Sequence, residues 1–294
     1  MPTQMADAVE LRCGDMHLRV RPDVGGSIEG LWFQSMPVLR SKIGLTSPRE
    51  GGGYPLVPYS NRIALGCLHW QGQLHSLRPL FTPEPHSIHG TGWLSHWAVQ
   101  AKSDATLVLQ HIHLSNAAWP FSFVCSQTFA LTRDTLTLSL HITNTAPCPA
   151  PVGLGWHPYV VKRRGAHIRF AAKHRWEMSV DKLPTHPSPH QGLDQGCDNL
   201  VIDHCFDGWA GGVDVQDDVL HTHIESSLNR LVVFTDPARD FIAIEPVSHV
   251  NNALGQMRPD AELVALGVQT LVHGQSYSAS MRISAKLCPT HSKP

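Results

Sequence analysis

From residue 134 to 144 the chain alternates without a break. Leu136, Leu138, Leu140 and Ile142 point one way; Thr135, Thr137, Ser139, His141 and Thr143 point the other. A period of two residues is the pattern of a strand with one buried and one wetted face, as in an antiparallel sheet. Residues 106–114 alternate in the same way, and 121–131 add an apolar-rich run. Shorter runs at 18–20, 27–33, 97–101, 168–170, 231–234 and 277–285 read as further strands. Turn residues punctuate them: Gly25-Gly26, Gly51-Gly52-Gly53, Gly72, the Pro-rich 147–151 and Gly211-Gly212. The 22 prolines and 23 glycines are spread too evenly to leave room for long helices. Many short strands joined by short turns predict a sandwich or a barrel and exclude an alternating βα chain.

At 294 residues, with 42% hydrophobic and 16% charged side chains, the chain has ample material for a packed core. It carries no fixed-period repeat and no low-complexity linker, so one domain over 1–294 is expected. The longest unpatterned stretch, 183–196, reads as a surface excursion. A formal net charge of -1 without a Lys/Arg block argues against nucleic acid. No apolar window approaches the length needed to cross a bilayer, so no membrane association is expected. Residues 1–12 lack a basic start followed by an apolar run, so no signal peptide is read there. The seven cysteines are scattered, with no C-x-x-C pair, which suggests neither a zinc knuckle nor a disulfide framework. A reducing, cytoplasmic address fits that usage.

Twenty histidines are the compositional oddity. His186, His190, His221 and His223 lie in polar or Pro-rich company, where a solvated face is the ordinary explanation. His111/His113 and His221/His223 have the spacing to share a metal on one strand face. No carboxylate or thiolate of suitable spacing joins them in the sequence, so no metal is expected.

The stretch Phe241-Ile-Ala-Ile-Glu245-Pro246-Val247 is of another kind. Four apolar residues run into a carboxylate, as in a strand buried on both faces. A lone Glu there sheds water, which disfavours its anion and raises its pKa, the setting of a proton acceptor that works near neutral pH. The ordinary alternative is a strand-end Glu turned to solvent or paired with an Arg. Further segments set polar residues among glycine, proline and aromatics. In Tyr54-Pro-Leu-Val-Pro-Tyr-Ser-Asn61-Arg62-Ile63, the Arg62 fork suits vicinal hydroxyls or a carboxylate. In Ser87-Ile-His89-Gly90-Thr-Gly92-Trp93, the glycines permit close backbone approach to a ligand, and Trp93 or Trp97 offers a flat surface for a sugar ring. In Gly153-Leu-Gly-Trp-His157-Pro158-Tyr159, the proline keeps His157 extended. In Leu200-Val-Ile-Asp203-His204-Cys205-Phe206, Asp203 ends an apolar run as Glu245 does.

Taken in order, Asn61-Arg62-Ile63, Ile88-His89-Gly90, His157-Pro158-Tyr159, Asp203-His204-Cys205-Phe206 and Glu245-Pro246 resemble the aldose 1-epimerase (galactose mutarotase) family. Gly25-Gly26-Ser27-Ile28, Trp119-Pro-Phe121 and Asn251-Asn252-Ala253 agree, and the similarity spans roughly 20–284. The resemblance implies a large antiparallel β-sandwich with a sugar site in a cleft across one sheet. It implies interconversion of the α and β anomers of a free aldose such as galactose or glucose, without cofactor or metal, by a monomer or homodimer. It also implies roles: Glu245 as base, His157 as acid near its ordinary pKa, His89 as a second histidine near C1 and O5. Arg62, Asp203 and, less strongly, Asn61 would hold sugar hydroxyls.

Other readings are a hexose-6-phosphate 1-epimerase with cations at the cleft mouth, for which Arg78, Arg163 and Arg164 are the residues to inspect, and a glycoside hydrolase using Asp203 and Glu245. A third is a non-catalytic sugar-binding or sensing protein of the same fold. The stretch 183–196 and the loop 207–220 have no counterpart in the resemblance, and if either borders the cleft the sugar preference is open.

Overall fold

The computed structural model describes residues 8–289. The first seven residues of the segment 1–12, read above for a targeting pattern, lie outside them. Among the described residues strands make up nearly all of the regular structure, and the one α-helix, Asp260–Ala265, is six residues long. No helix of the described residues is long and apolar enough to cross a membrane.

The alternating run forms the strand Thr135–Asn144. Leu136, Leu138, Leu140 and Ile142 are wholly buried, and His141 faces out. The strand pairs antiparallel with Phe123–Leu131 on one side and Ser276–Leu287 on the other, inside a nine-stranded sheet. A twelve-stranded sheet faces it, with Phe241–Val247 set between Tyr159–Val161 and Arg230–Thr235. Side chains from the inner faces of both sheets make one apolar core, with Leu138, Ile142 and Ile283 from the first and Leu31, Val233 and Ile244 from the second. The fold is therefore a large antiparallel β-sandwich, with its stability drawn from apolar area buried between two layers.

Every residue of Phe241–Val247 is buried, because both faces of the strand are covered. Ile242 and Ile244 enter the inter-sheet core. Phe241, Ala243 and Val247 join a smaller apolar cluster on the outer face, with Tyr54, Trp93, Tyr159 and Val232. Glu245 is in phase with that outer set, so the pleat carries its carboxyl to the outer side of the sheet. Loops cover it there, tied together where Arg62–Ile63 pairs with Ser87–Ile88.

Three expectations need correction. The stretch 183–196 is not unpatterned: Pro184–Pro189 is the last strand of one sheet and Gly192–Gly196 the last strand of the other. Prolines are tolerated in such a position because an edge strand needs no outward N–H donors. The stretch 207–220 contains the strand Gly212–Gln216, paired with Leu220–Ser226. A carboxylate does join His221 and His223: Asp214 Oδ1 lies 2.6 Å from His221 Nε2 and 2.8 Å from His223 Nδ1, across neighbouring strands. His111 and His113 are instead core residues bonded to the carbonyls of His96 and Trp119.

Truncating Leu138 to Ala removes wholly buried volume from the middle of the sandwich. Urea unfolding is expected to show a loss of about 2–5 kcal/mol. The neighbouring outward-facing change Ser139→Ala is expected to stay within about 0.5 kcal/mol of the parent.

Candidate active site

The outer face of the twelve-stranded sheet carries an open cleft lined by polar and aromatic side chains. Its floor comes from the strands, with Tyr159, Phe241, Glu245, Phe234 and Asp203. Its walls come from loops and short bridges that bring Arg49, Tyr54, Asn61, Arg62, Phe81, Glu84, His89, Trp93, His157 and Lys182. The sequence-predicted residues Glu245, His157, His89, Arg62, Asp203 and Asn61 all meet here. None of residues 183–196 or 207–220 lines the cleft.

Glu245 and His157 are both buried, and His157 Nε2 lies 3.1 Å from Glu245 Oε1. Each keeps a buried polar atom with no protein partner, Glu245 Oε2 and His157 Nδ1. Burial pushes the Glu245 carboxyl well above its ordinary pKa; the charge of Asp203 pushes the same way, and that of Arg62 opposes. Burial drives His157 down to about 3, helped by the charges of Arg49 and Arg40. The expectation of an acid/base histidine near its ordinary value is thus wrong: no water is left to solvate an imidazolium. Burial thus favours the neutral form of both groups.

His157 is positioned by the backbone of its own loop. Its N–H donates to the Tyr54 carbonyl at 2.9 Å, and the preceding Gly155–Trp156 pairs with Pro55–Leu56. Its ring stacks on Tyr54, which stacks in turn on Trp93. Trp93 therefore buttresses the site; Trp97, the other tryptophan considered for sugar stacking, lies in the inter-sheet core and bonds the Gly92 carbonyl.

His89 sits edge-on to His157, with ring centroids 5.4 Å apart. Its φ of +61° is uncommon for a residue with a side chain, and a reciprocal clasp holds it there. The His89 N–H donates to the Asn61 carbonyl at 2.9 Å, and the Asn61 N–H donates to His89 Nδ1 at 3.1 Å. Burial, then the charges of His157 and Arg62, hold His89 well below its ordinary pKa. The ring is neutral with Nδ1 accepting, so Nε2 carries the hydrogen. One ligand atom from each of His89, His157 and Glu245 falls within 4.8 Å of the others, a spacing that suits a metal ion. The proton on His89 Nε2 opposes such binding, because a ligating nitrogen must present a lone pair while Nδ1 already faces an N–H. The trio suits hydrogen bonding better than metal ligation.

Each of the remaining predicted residues already has a protein contact in the cleft. Arg62 lines the cleft, but its fork closes on Glu84, with Nε 3.2 Å from Oε1 and the terminal nitrogen 3.1 Å from Oε2. Asn61 spends its side-chain oxygen on the Arg62 N–H at 3.0 Å, which makes it a positioning residue. Asp203 is partly open to the cleft, 3.7 Å from Lys182 Nζ. Gly90 and Gly92 permit close approach of protein and not of ligand: a Cβ would meet Val57 O at 2.2 Å from Gly90, and Val57 Cγ1 at 2.2 Å from Gly92. Arg78, Arg163 and Arg164 do not line the cleft, and Arg163 binds Asp217. The cations that do line it are Arg49, Arg62, Lys182 and Arg239. Arg49, Glu84 and Lys182 went unread because Pro48-Arg-Glu50, Pro83-Glu-Pro85 and Asp181-Lys182 look like ordinary polar turns.

Comparison with known proteins agrees with this geometry. The family model described as Aldose 1-epimerase matches residues 8–284. The Escherichia coli (strain K12) protein YphB, itself uncharacterized, is 30% identical over 273 residues, which covers 83% of this chain and 89% of YphB. A crystal structure of a candidate aldose 1-epimerase from Escherichia coli K12 superposes with a TM-score of 0.87 at 27% identity, covering 96% of this chain and 99% of that one. A galactose mutarotase-like protein from Clostridium acetobutylicum shares the fold, with a TM-score of 0.83 at 18% identity over 96% of this chain and 95% of its own. A β-sandwich with these residues gathered in one cleft, matched by the family model over nearly its whole length, belongs to the aldose 1-epimerase family.

Proposed function

We propose that the protein is an aldose 1-epimerase, a cofactor-independent isomerase that interconverts the α and β anomers of an aldose such as galactose or glucose. The observation that carries this reading is the 3.1 Å contact between two buried groups, Glu245 shifted up and His157 shifted down, with His89 beside them.

The reaction takes a proton from the anomeric hydroxyl and delivers one to the ring oxygen as the C1–O5 bond breaks. Rotation about C1–C2 then presents the other aldehyde face, and closure reverses both transfers. In this reading Glu245 removes the O1 proton, His157 protonates O5, and His89 Nε2–H donates to the oxygen that gains charge. Asp203 accepts from sugar hydroxyls, and Arg62 acts with Glu84 as one unit at the wall. The ring-closed complex holds a carboxylate and an imidazolium; the open-chain complex holds a carboxylic acid and a neutral imidazole. Burial favours the second distribution, so the cleft offsets part of the cost of opening the ring.

Both distributions contain the same number of protons, and this fixes the pH dependence. Activity is lost when the pair gains a second proton, as His157 titrates near about 3, or loses its last one above the raised pKa of Glu245. Polarimetry of freshly dissolved α-D-glucose and α-D-galactose is therefore expected to give a kcat/KM that is level from neutral into mildly acidic pH. An acid limb at the ordinary histidine value of 6.5 would contradict the burial argument.

Glu245→Gln is expected to lower the catalysed rate by about 10²–10⁴-fold, with thermal stability unchanged or raised because a buried ionisable group is gone. An active Glu245→Gln protein would sink the base assignment. Gly90→Ala places a Cβ against Val57 O with φ at +71°. It is expected to cost more than about 1 kcal/mol and to cut kcat by displacing His89. Gly72→Ala, at a similar φ of +76° but in open space, is the control and should retain turnover.

A further inference from the structure

The outer face of the nine-stranded sheet, on the side of the sandwich away from the cleft, carries a second gathering of titratable groups. His221 and His223 stand two apart on Leu220–Ser226, so the pleat turns both rings to that face, while Leu220, Thr222 and Ile224, which alternate with them, are buried. Asp214 is the Cα partner of His223 on the neighbouring strand Gly212–Gln216, and it is in phase with the same face. Its Oδ1 lies 2.6 Å from His221 Nε2 and 2.8 Å from His223 Nδ1. Two imidazole nitrogens thus converge on one carboxylate oxygen. All three side chains keep between 21% and 33% of their surface exposed, so the cluster is open to an ion from solution.

A ligating imidazole needs one nitrogen bare and its proton held on the other. His223 has that arrangement: its far nitrogen, Nε2, lies 3.5 Å from Glu225 Oε1, the place of a carboxylate that orients a metal-bound ring. Among the described residues no N–H donates to His221 or His223. Neither ring is therefore locked in the wrong tautomer, in contrast to His89, whose Nδ1 is held as an acceptor by the Asn61 N–H. Asp214 Oδ2 faces the mostly exposed Arg169 at 3.9 Å, which leaves Oδ1 as the ligand atom. Lys286 and Arg282 lie across from His221 and Glu225 on the flanking strand. With these three cations nearby the face offers little electrostatic pull, so an ion here depends on its coordinate bonds to imidazole. That selects zinc, nickel or copper over magnesium or calcium, which need more oxygen ligands.

We infer that Asp214, His221 and His223 form a binding site for a divalent transition-metal ion of the zinc class. His221 Nε2, His223 Nδ1 and Asp214 Oδ1 are the ligands, and the fourth tetrahedral position is left to water. Metal–ligand bonds of about 2.0–2.2 Å at tetrahedral angles set ligand atoms roughly 3.3 Å apart, so both contacts open by roughly half an ångström as the ion replaces the bridging protons. Partly exposed side chains accommodate a movement of that size. The bound ion pins Gly212–Gln216 to Leu220–Ser226.

Titration calorimetry of tag-free protein with zinc chloride tests this, with thermal unfolding of the same samples as a second readout. The parent is expected to bind one zinc ion at this site and to gain Tm as free zinc rises. His221→Gln, His223→Gln and Asp214→Asn each remove one ligand. Each is expected to weaken that binding by at least about 10–100-fold, since losing even an outer partner of a metal site has that effect. Glu245→Gln, in the cleft, and His167→Gln, which takes an imidazole from the depression beside Asp214 and His221, should both keep it. An excess of magnesium should leave the zinc isotherm in place. No zinc binding by the parent, or binding that any one of the three ligand substitutions leaves intact, would overturn the inference. Loss of the ion in Glu245→Gln or His167→Gln would place it elsewhere, and displacement by magnesium would mean a site made of carboxylates. Either result rejects the assignment to these three residues.

Discussion

A carboxyl group carried on a strand that is covered on both faces is the constraint from which the chemistry of this protein follows. Every residue of Phe241–Val247 is buried, so Glu245, on the floor of the cleft, is largely withdrawn from water. The usual remedy for a buried carboxylate is a guanidinium, and here the nearest group is an imidazole that burial also keeps neutral. Burial disfavours a charge on either partner. In the proposed reaction, proton transfer between Glu245, His157 and a sugar is a choice between a charged and an uncharged pair.

The surrounding shell exists to hold that pair still. His157 is gripped through its main chain by Tyr54 and through its ring by the Tyr54–Trp93 stack. His89 is kept in a left-handed conformation by two bonds to Asn61, and the whole turn leans on the carbonyl of Val57. Strain of this kind persists only where neighbouring structure over-determines it, and three cleft residues, Asn61, His89 and Lys182, carry a positive φ.

The fold was legible because its signal is periodic. The alternation in 134–144 and the unbroken apolar run ending at Glu245 are statements about which faces are covered, and the sandwich follows from them. Glu245 was legible because it ends such a run, whereas His157 and His89 stood out among glycine, proline and aromatics, and the family resemblance supplied the roles expected of them. Arg49, Glu84 and Lys182 were not, because their turns acquire meaning only from what folds against them. The partner of Arg62 was hidden for the same reason, since Glu84 lies between two prolines far along the chain. The proton affinity of His157 escaped because residue type sets an ordinary value and burial sets the shift. The 183–196 stretch misled in the opposite direction, since proline counts against a strand everywhere except at an edge.

That edge has a consequence for the molecule in solution. An open sandwich exposes the outer strand of each sheet as a template on which another chain can add. Here consecutive segments, Pro184–Pro189 and Gly192–Gly196, close one side of both sheets with only His190 and Gln191 between them. Pro184, Pro187 and Pro189 have no N–H to offer, so one of these borders presents an interrupted ladder to any would-be neighbour. The same prolines that obscure the strand in the sequence guard the folded protein against edge-to-edge aggregation.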